Sequence, residues 1–366
     1  MKKILFCFPP LSFLSENYYF RTQQMIDSLK KDFQIEFLKP LSSTGRARDR
    51  RFTLKKVILF CFKIPCYLTS LRQADFLVIY PTLLWYFWLP AGKLFRKKII
   101  LDHFTTRLFP TEFTNAPAFT QKILSLVDKF VYCRIDLVVT HSQTMKREII
   151  NFYQTHKNKV LVIPSLVDLK LFNPQKYSFS KIKRLKKKYS LPLDKKILLY
   201  HGRFHLFHGL DILNKTARLS LKKGRNYAFV FLGGKRKNKN NTYFIAPIEF
   251  KKLPEVLALT DLWLGRFSPK KQASRALSSC LLQAMAMSRP VITYASPESK
   301  SLIEQGIDGF LVKNLTPESV LAQIDKIIND QSLLIKVGQA ARQKIKNQFP
   351  LKKWQIVNQR IKRLLN

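Results

Sequence analysis

A chain of 366 residues with 46% hydrophobic content can fill two domain cores of ordinary size, which excludes a disordered chain. Its 65 lysines and arginines against 23 acidic residues leave a net charge of +42, so its surface must meet something anionic unless it is simply lysine-rich throughout. No zinc-finger spacing, RNA-recognition signature or basic recognition helix occurs, which argues against nucleic acid and leaves anionic lipid and phosphorylated ligands.

The N-terminal Lys2-Lys3 followed by ILFCF reads as a buried strand, because Pro9 and Pro10 interrupt any signal-peptide core. A helix over 21–31 turns Met25, Ile26 and Leu29 inward, and 35–38 is a second strand. Arg46, Arg48, Arg50, Arg51, Lys55 and Lys56 then lead into VILFCFKIPCYL. That pairing suits an interfacial helix on an anionic membrane, and it equally suits a core helix behind a solvated loop. The apolar run 76–89 is too short to span a bilayer and contains Pro81. Strands at 76–80, 98–101, 137–140 and 160–163, each behind a helix, make a doubly wound parallel sheet. Ligands in such sheets sit at the carboxyl ends of strands, which directs attention to Pro9, Asp102, His103 and Ser142. The five cysteines, at 7, 61, 66, 133 and 280, lack the paired spacing of a metal site or disulfide framework and fit a reducing cytoplasm.

A second doubly wound unit begins near Lys195. Strand 197–200 leads to the turn His201-Gly202-Arg203, and Leu210, Leu213, Ala217 and Leu221 mark one face of a helix that stops near Gly224. Strand 228–232 ends in Gly233-Gly234, and Leu253, Val256 and Leu257 lie on a helix where Glu249 and Glu255 take solvated positions. From Asp261 to Thr293 the pattern is strand, long loop, helix, strand, with Leu281, Leu282, Met285 and Ala286 at helical spacing. A loop feeding a helix N-terminus beside a parallel strand is a place for phosphate. Thr316 and Pro317 begin a helix buried through Val320, Ile324 and Ile327, and Trp354, Val357, Ile361 and Leu364 share one face of a last helix.

Ala284-Met285-Ala286 with Pro290-Val291-Ile292, the Gly202-Arg203 pair with Gly209, the passage Pro164, Val167, Asp168, Phe172, Pro174, and Gly306, Gly309, Phe310, Val312 together resemble glycosyltransferase family 4. These are retaining, nucleotide-sugar-dependent enzymes. The resemblance implies an α/β protein of GT-B fold, with two doubly wound Rossmann-like domains facing across a cleft. It implies an N-terminal acceptor domain over 1–168, a nucleotide-sugar domain over 169–347, and a helix over 348–366 crossing back.

By the same resemblance Arg203, with His208 in place of a lysine, grips the donor diphosphate, and Gly202, Ser278 and Ser279 complete the cradle. Arg275 and Gln283 stand where the family keeps two glutamates, and His103 and Arg203 are the candidate catalytic residues. No cofactor or obligatory metal is implied, because the helix dipole, Arg203 and backbone N–H groups would carry the leaving diphosphate. A histidine at 208 implies proton uptake on donor binding, and hence affinity that falls as pH rises through the imidazole range. The expected partners are a nucleotide-sugar donor, a lipid-linked or cell-surface glycan acceptor of lipopolysaccharide or capsule type, and an anionic membrane surface at its cytoplasmic side. The departures at 275 and 283 keep a second reading open, a catalytically degenerate, transferase-like protein acting as a membrane-associated binding partner.

Overall fold

The computed structural model describes residues 1–7, 16–38, 54–80, 85–104, 118–202, 204, 208–234, 238–270, 273, 275 and 277–364, with backbone only at 16–18, 54–61, 85, 86 and 124. It divides into two compact units, one of residues 1–164 with 351–366 and the other of residues 165–350.

The first unit carries a parallel sheet in the order β2-β1-β3-β4-β5-β6, from β1 (Lys3–Phe6), β2 (Gln34–Phe37), β3 (Phe76–Ile79), β4 (Lys98–His103), β5 (Leu137–Thr140) and β6 (Val160–Val162). All four residues of β3 and of β5 are buried, as a sheet covered on both faces requires. The helices between them are α1 (Glu16–Leu29), α2 (Leu54–Gln73), α3 (Trp85–Leu94), α4 (Ala118–Arg134) and α5 (Gln143–Tyr153). Their inward residues, Tyr67, Leu71, Trp88, Val131, Met145 and Ile149, close on Leu77, Ile99, Leu101 and Val138 of the strands. Helix α1 starts at Glu16, five residues before the sequence suggests, and buries Met25, Ile26 and Leu29.

The C-terminal part of α2 turns Tyr67 and Leu71 into this core and leaves Phe62 in solvent, so here the core-helix reading holds. Arg46, Arg48, Arg50 and Arg51 lie outside the described residues, as do the side chains of Lys55 and Lys56. No helix of the described residues is long and apolar enough to cross a membrane.

The chain's last segment closes this unit. After the turn at Leu351–Trp354, the helix Gln355–Lys362 buries Val357 and Ile361, and Leu364 stays half-buried. Asn358 donates to the Ser28 carbonyl and to Asp32, and Lys362 reaches Asp32 at 2.7 Å. Trp354 Nε1 donates to Gln24 Oε1, and its ring lies 4.9 Å from the Arg21 guanidinium. Arg21 and Asp102 form a buried pair: Nε and Nη2 donate to the carboxylate at 2.9–3.1 Å, and Nη1 donates to the Ile163 carbonyl at 2.8 Å.

The second unit repeats the architecture with the order β12-β11-β10-β7-β8-β9. Its strands are β7 (Lys196–His201), β8 (Tyr227–Leu232), β9 (Thr242–Ile245), β10 (Leu262–Leu264), β11 (Val291–Tyr294) and β12 (Phe310–Val312), all parallel. The helices are α6 (Phe179–Lys188), α7 (Leu210–Lys222), α8 (Leu253–Ala258), α9 (Ser279–Ala286), α10 (Pro297–Leu302), α11 (Pro317–Ile327) and α12 (Gln331–Gln348). Ser178, Ser296 and Thr316 cap α6, α10 and α11 by accepting a backbone N–H of the first turn, the reason such residues start helices. Glu255 is not on a solvated face. Its carboxylate is half-buried, accepts from Lys188 at 2.8 Å and Tyr189 at 3.2 Å, and ties α8 to the end of α6.

Candidate functional site

In the second unit the strand order turns back between β7 and β10, and the carboxyl ends of these two strands flank the crevice where doubly wound sheets hold ligands. Strand β7 ends at His201 and runs into Gly202, whose φ of +146° is in the glycine-favouring range. Strand β10 runs into Gly265, where a Cβ would stand 2.3 Å from Thr293 Oγ1, so only glycine lets β10 and β11 approach this closely. Arg266 follows. Helix α9 opens toward the same end, and the Ser278 side chain at its N-cap position makes no capping hydrogen bond.

Arg266, Ser268, Ser278, Thr293, Ser296 and Ser299 are among the walls of a cavity of about 20 Å³, room for one water-sized group. Half-buried, Arg266 donates to the Ala273 carbonyl at 3.3 Å, and no carboxylate among the described residues pairs with it. A guanidinium walled by hydroxyls at a helix N-terminus is a setting for an anion. Beside it, sharing Ser268, a cavity of about 540 Å³ has Phe204, Phe231, Phe244 and Phe267 in its walls and the first turn of α7 at its rim, within the range of small-molecule sites.

Behind the crevice lies a hydrogen-bonded cluster. Trp263 Nε1 donates to His201 Nδ1 at 2.7 Å, and His201 Nε2 lies 3.2 Å from Gln283 Oε1. An indole nitrogen can only donate, so Nδ1 accepts and the imidazole proton sits on Nε2. Burial opposes a second proton on this ring, Cys280 beside it and the Gln283 hydrogen bond favour one, and the net direction of the His201 pKa is up. Tyr200 Oη and His208 Nδ1 are 2.9 Å apart. Burial holds the Tyr200 hydroxyl far above its usual range, with Cys280 adding to the effect and Arg266 opposing it.

Cys280, the second residue of α9, also belongs to this cluster. Burial pushes its thiol up, but the His201 imidazole, the Arg266 guanidinium and a hydrogen bond with Ser278 outweigh it, and the net direction is down. Alkylation by iodoacetamide should therefore rise to half its maximum at a lower pH than for free cysteine, and urea should return the profile to the ordinary one. An unshifted profile in the folded protein would show that the cluster does not stabilise the thiolate.

Gly202, Ser278, Ser279 and Gln283 come together at the carboxyl ends of β7 and β10, while Arg203 lies outside the described residues. Gln283 is directed to His201, which orients it. His208 is buried with Nδ1 at Tyr200, so a proton taken up there would enter an enclosed position. Arg275 is fully buried in the loop ahead of α9, with no surface open to a ligand in this structure. His103 belongs to the first unit, at the end of β4, where it is fully buried and its Nδ1 meets the Tyr132 hydroxyl. Of the other strand ends in that unit, Asp102 is taken by Arg21, Ser142 caps α5, and Pro9 lies outside the described residues. Reading the sequence passed over His201, Trp263, Arg266 and Cys280, although the pair Gly265-Arg266 just after a strand is a signal of the same kind as Gly202-Arg203.

Residues 181–344 match the family model of glycosyl transferases group 1. An uncharacterised glycosyltransferase of Methanocaldococcus jannaschii is 24% identical over 241 residues, 62% of this chain and 58% of that protein. The capsular polysaccharide biosynthesis glycosyltransferase CapM of Staphylococcus aureus is 22% identical over 237 residues, 62% of this chain and 61% of its own length. The chain thus spans about three fifths of the length of the curated relatives it matches. Among solved structures, a glycosyltransferase from Rickettsia africae superposes with a TM-score of 0.74 at 17% identity, over 98% of this chain and 97% of that one. Anabaena HepE, solved with UDP and glucose, gives 0.73 at 14% identity over 100% and 99%. The fold is GT-B. In GT-B terms the matched segment is the second unit, which holds the crevice, the cavities and the Cys280 cluster.

Proposed function

We propose that the protein is a glycosyltransferase that moves a sugar from a nucleotide-sugar donor to a lipid-linked or cell-surface glycan acceptor, working at the cytoplasmic face of a membrane. The observation that carries this reading is the second unit's crevice: an uncapped N-terminus of α9, Gly202 and Arg266 at the switch point of a parallel sheet, inside the segment that matches the transferase family. HepE, with UDP and glucose, and CapM, named for capsular polysaccharide, support the donor and acceptor classes.

In this reading the donor diphosphate meets the first N–H groups of α9, the backbone at Gly202 and the guanidinium of Arg203, which stabilise the charge that develops as the leaving group departs. These groups do that without an obligatory metal. Gln283, held by His201, can take a hydrogen bond from a donor hydroxyl only through whatever capacity its amide has left.

Calorimetric titration with a panel of nucleotides and nucleotide sugars tests the proposal, and saturable, base-selective binding is expected. Arg203→Ala should weaken it by about 1.5–3 kcal/mol, the range for a charge-assisted hydrogen bond, and Arg203→Lys should restore part. Absence of binding at millimolar concentrations would favour a transferase-like partner without catalysis, which the replacements at Arg275 and Gln283 make the second reading.

A further inference from the structure

Helix α4 has its amphipathicity turned outward. Phe119, Ile123, Leu126 and Phe130, spaced by four, three and four residues, are 74%, 45%, 58% and 56% exposed, with Val127 beside them. At about 100° per residue these positions make one stripe roughly 16 Å long. The opposite face is the one that packs, through Asp128, Val131 and Tyr132, all buried. A monomeric soluble protein rarely leaves so ordered an apolar stripe in water.

Among the described residues of α4, the charges flanking the stripe are of one sign. Lys122 and Lys129 line one flank, and Arg134 closes the end with its guanidinium 3.2 Å from the centre of the Phe130 ring. The helix's single acid, Asp128, is on the buried side, so the outward face has no negative charge. We propose that this face of α4 seats in the headgroup and upper acyl region of a bilayer containing anionic phospholipid, with the phenyl and aliphatic groups inserted and the cations on the lipid phosphates. The combination of inserted rings with flanking lysines, on a protein of net charge +42, is what an anionic interface selects and a neutral protein surface does not. This rests on the membrane-surface part of the proposed function and assigns it to a segment away from residues 46–68.

Vesicle co-sedimentation of the full chain tests it, with vesicles of phosphatidylcholine alone and mixed with phosphatidylglycerol. The parent should bind the mixed vesicles and lose them as salt rises. Leu126→Ser with Phe130→Ser should lower the partition coefficient about tenfold or more. Lys122→Gln with Lys129→Gln should lower it about fivefold per cation removed. Ile335→Ser, an exposed apolar position of the second unit, should change it less than about twofold. Nucleotide-sugar titration of the same variants should match the parent, so a failure of the donor reading shows there and a failure of this one shows only on vesicles. Equal binding to both vesicle types, or α4 variants that bind like the parent, would overturn the proposal. So would a parent dimer that the α4 variants convert to monomer without any vesicle binding, since the stripe would then serve a second copy of the chain.

Discussion

Arg21→Leu is expected to destabilise the first unit by about 3–5 kcal/mol, the cost of leaving a buried charge without its partner. Asp102 has no exposed surface, and Arg21 supplies the three side-chain hydrogen bonds it receives while also holding the Ile163 carbonyl. Burial already pushes the Asp102 carboxyl above its usual range, against the pull of Arg21. With the guanidinium gone only the upward push remains. A folded-state pKa above the unfolded one means that the folded state holds the proton longer, so the variant should lose stability as pH rises out of the carboxylate range. Urea unfolding at several pH values measures this. Arg21→Leu combined with Asp102→Leu should recover most of the loss, because an apolar pair of similar volume carries no desolvation penalty. A single variant within about 0.5 kcal/mol of the parent, as for a surface change, would contradict the account.

Gly209→Ala should produce the second large effect, about 3 kcal/mol or more, and should also weaken donor binding by at least about tenfold. Gly209 precedes α7 with φ +73°, which costs an alanine about 1–2 kcal/mol before any contact is considered. Its Cβ would then stand 1.9 Å from the Phe267 carbonyl oxygen. That neighbour is backbone, so no side-chain rotation relieves the overlap. The two segments are also joined by the Phe267 N–H donating to the His208 carbonyl at 3.1 Å. Relief must part them, and Phe267 and Ser268 line the cavities beside Arg266, so the anion site widens with the shift. Gly224→Ala is the control, with φ +63° and nothing within 4 Å, and should show the conformational cost alone. Equal effects at the two glycines would remove the contact with Phe267 from the explanation.

The alternation of helices and strands was open to reading because short, largely apolar runs such as 76–79 and 137–140 mark strands covered on both faces, and because Thr316 followed by Pro317 announces a helix start by local chemistry. The Cys280 cluster was closed to it for the opposite reason. Trp263 and His201 stand 62 residues apart and meet only because β10 pairs with β7, and in the sequence Trp263 is one more apolar residue of a strand, its N–H invisible. Periodicity also fails on α4. The spacing of Phe119, Ile123, Leu126 and Phe130 predicts an apolar face without saying whether that face points to a core or to solvent. Glu255 is a similar case, since its partners Lys188 and Tyr189 come from another helix's end.

The first unit is discontinuous, with residues 165–350 set between its main body and the closing segment that carries Trp354, Asn358 and Lys362. On the ribosome this reverses the usual order of completion, in which the earlier domain finishes first. The second unit is contiguous and can fold as soon as residue 350 has emerged. The first must wait, with α1 lacking the cover of Trp354 and the Arg21 guanidinium lacking one of its aromatic walls, until residues 351–364 have left the exit tunnel. For that interval the sheet has all six strands but α1 lacks its helical cover, so the exposed apolar surface, and the burden on chaperones, falls on the half of the protein that was made first.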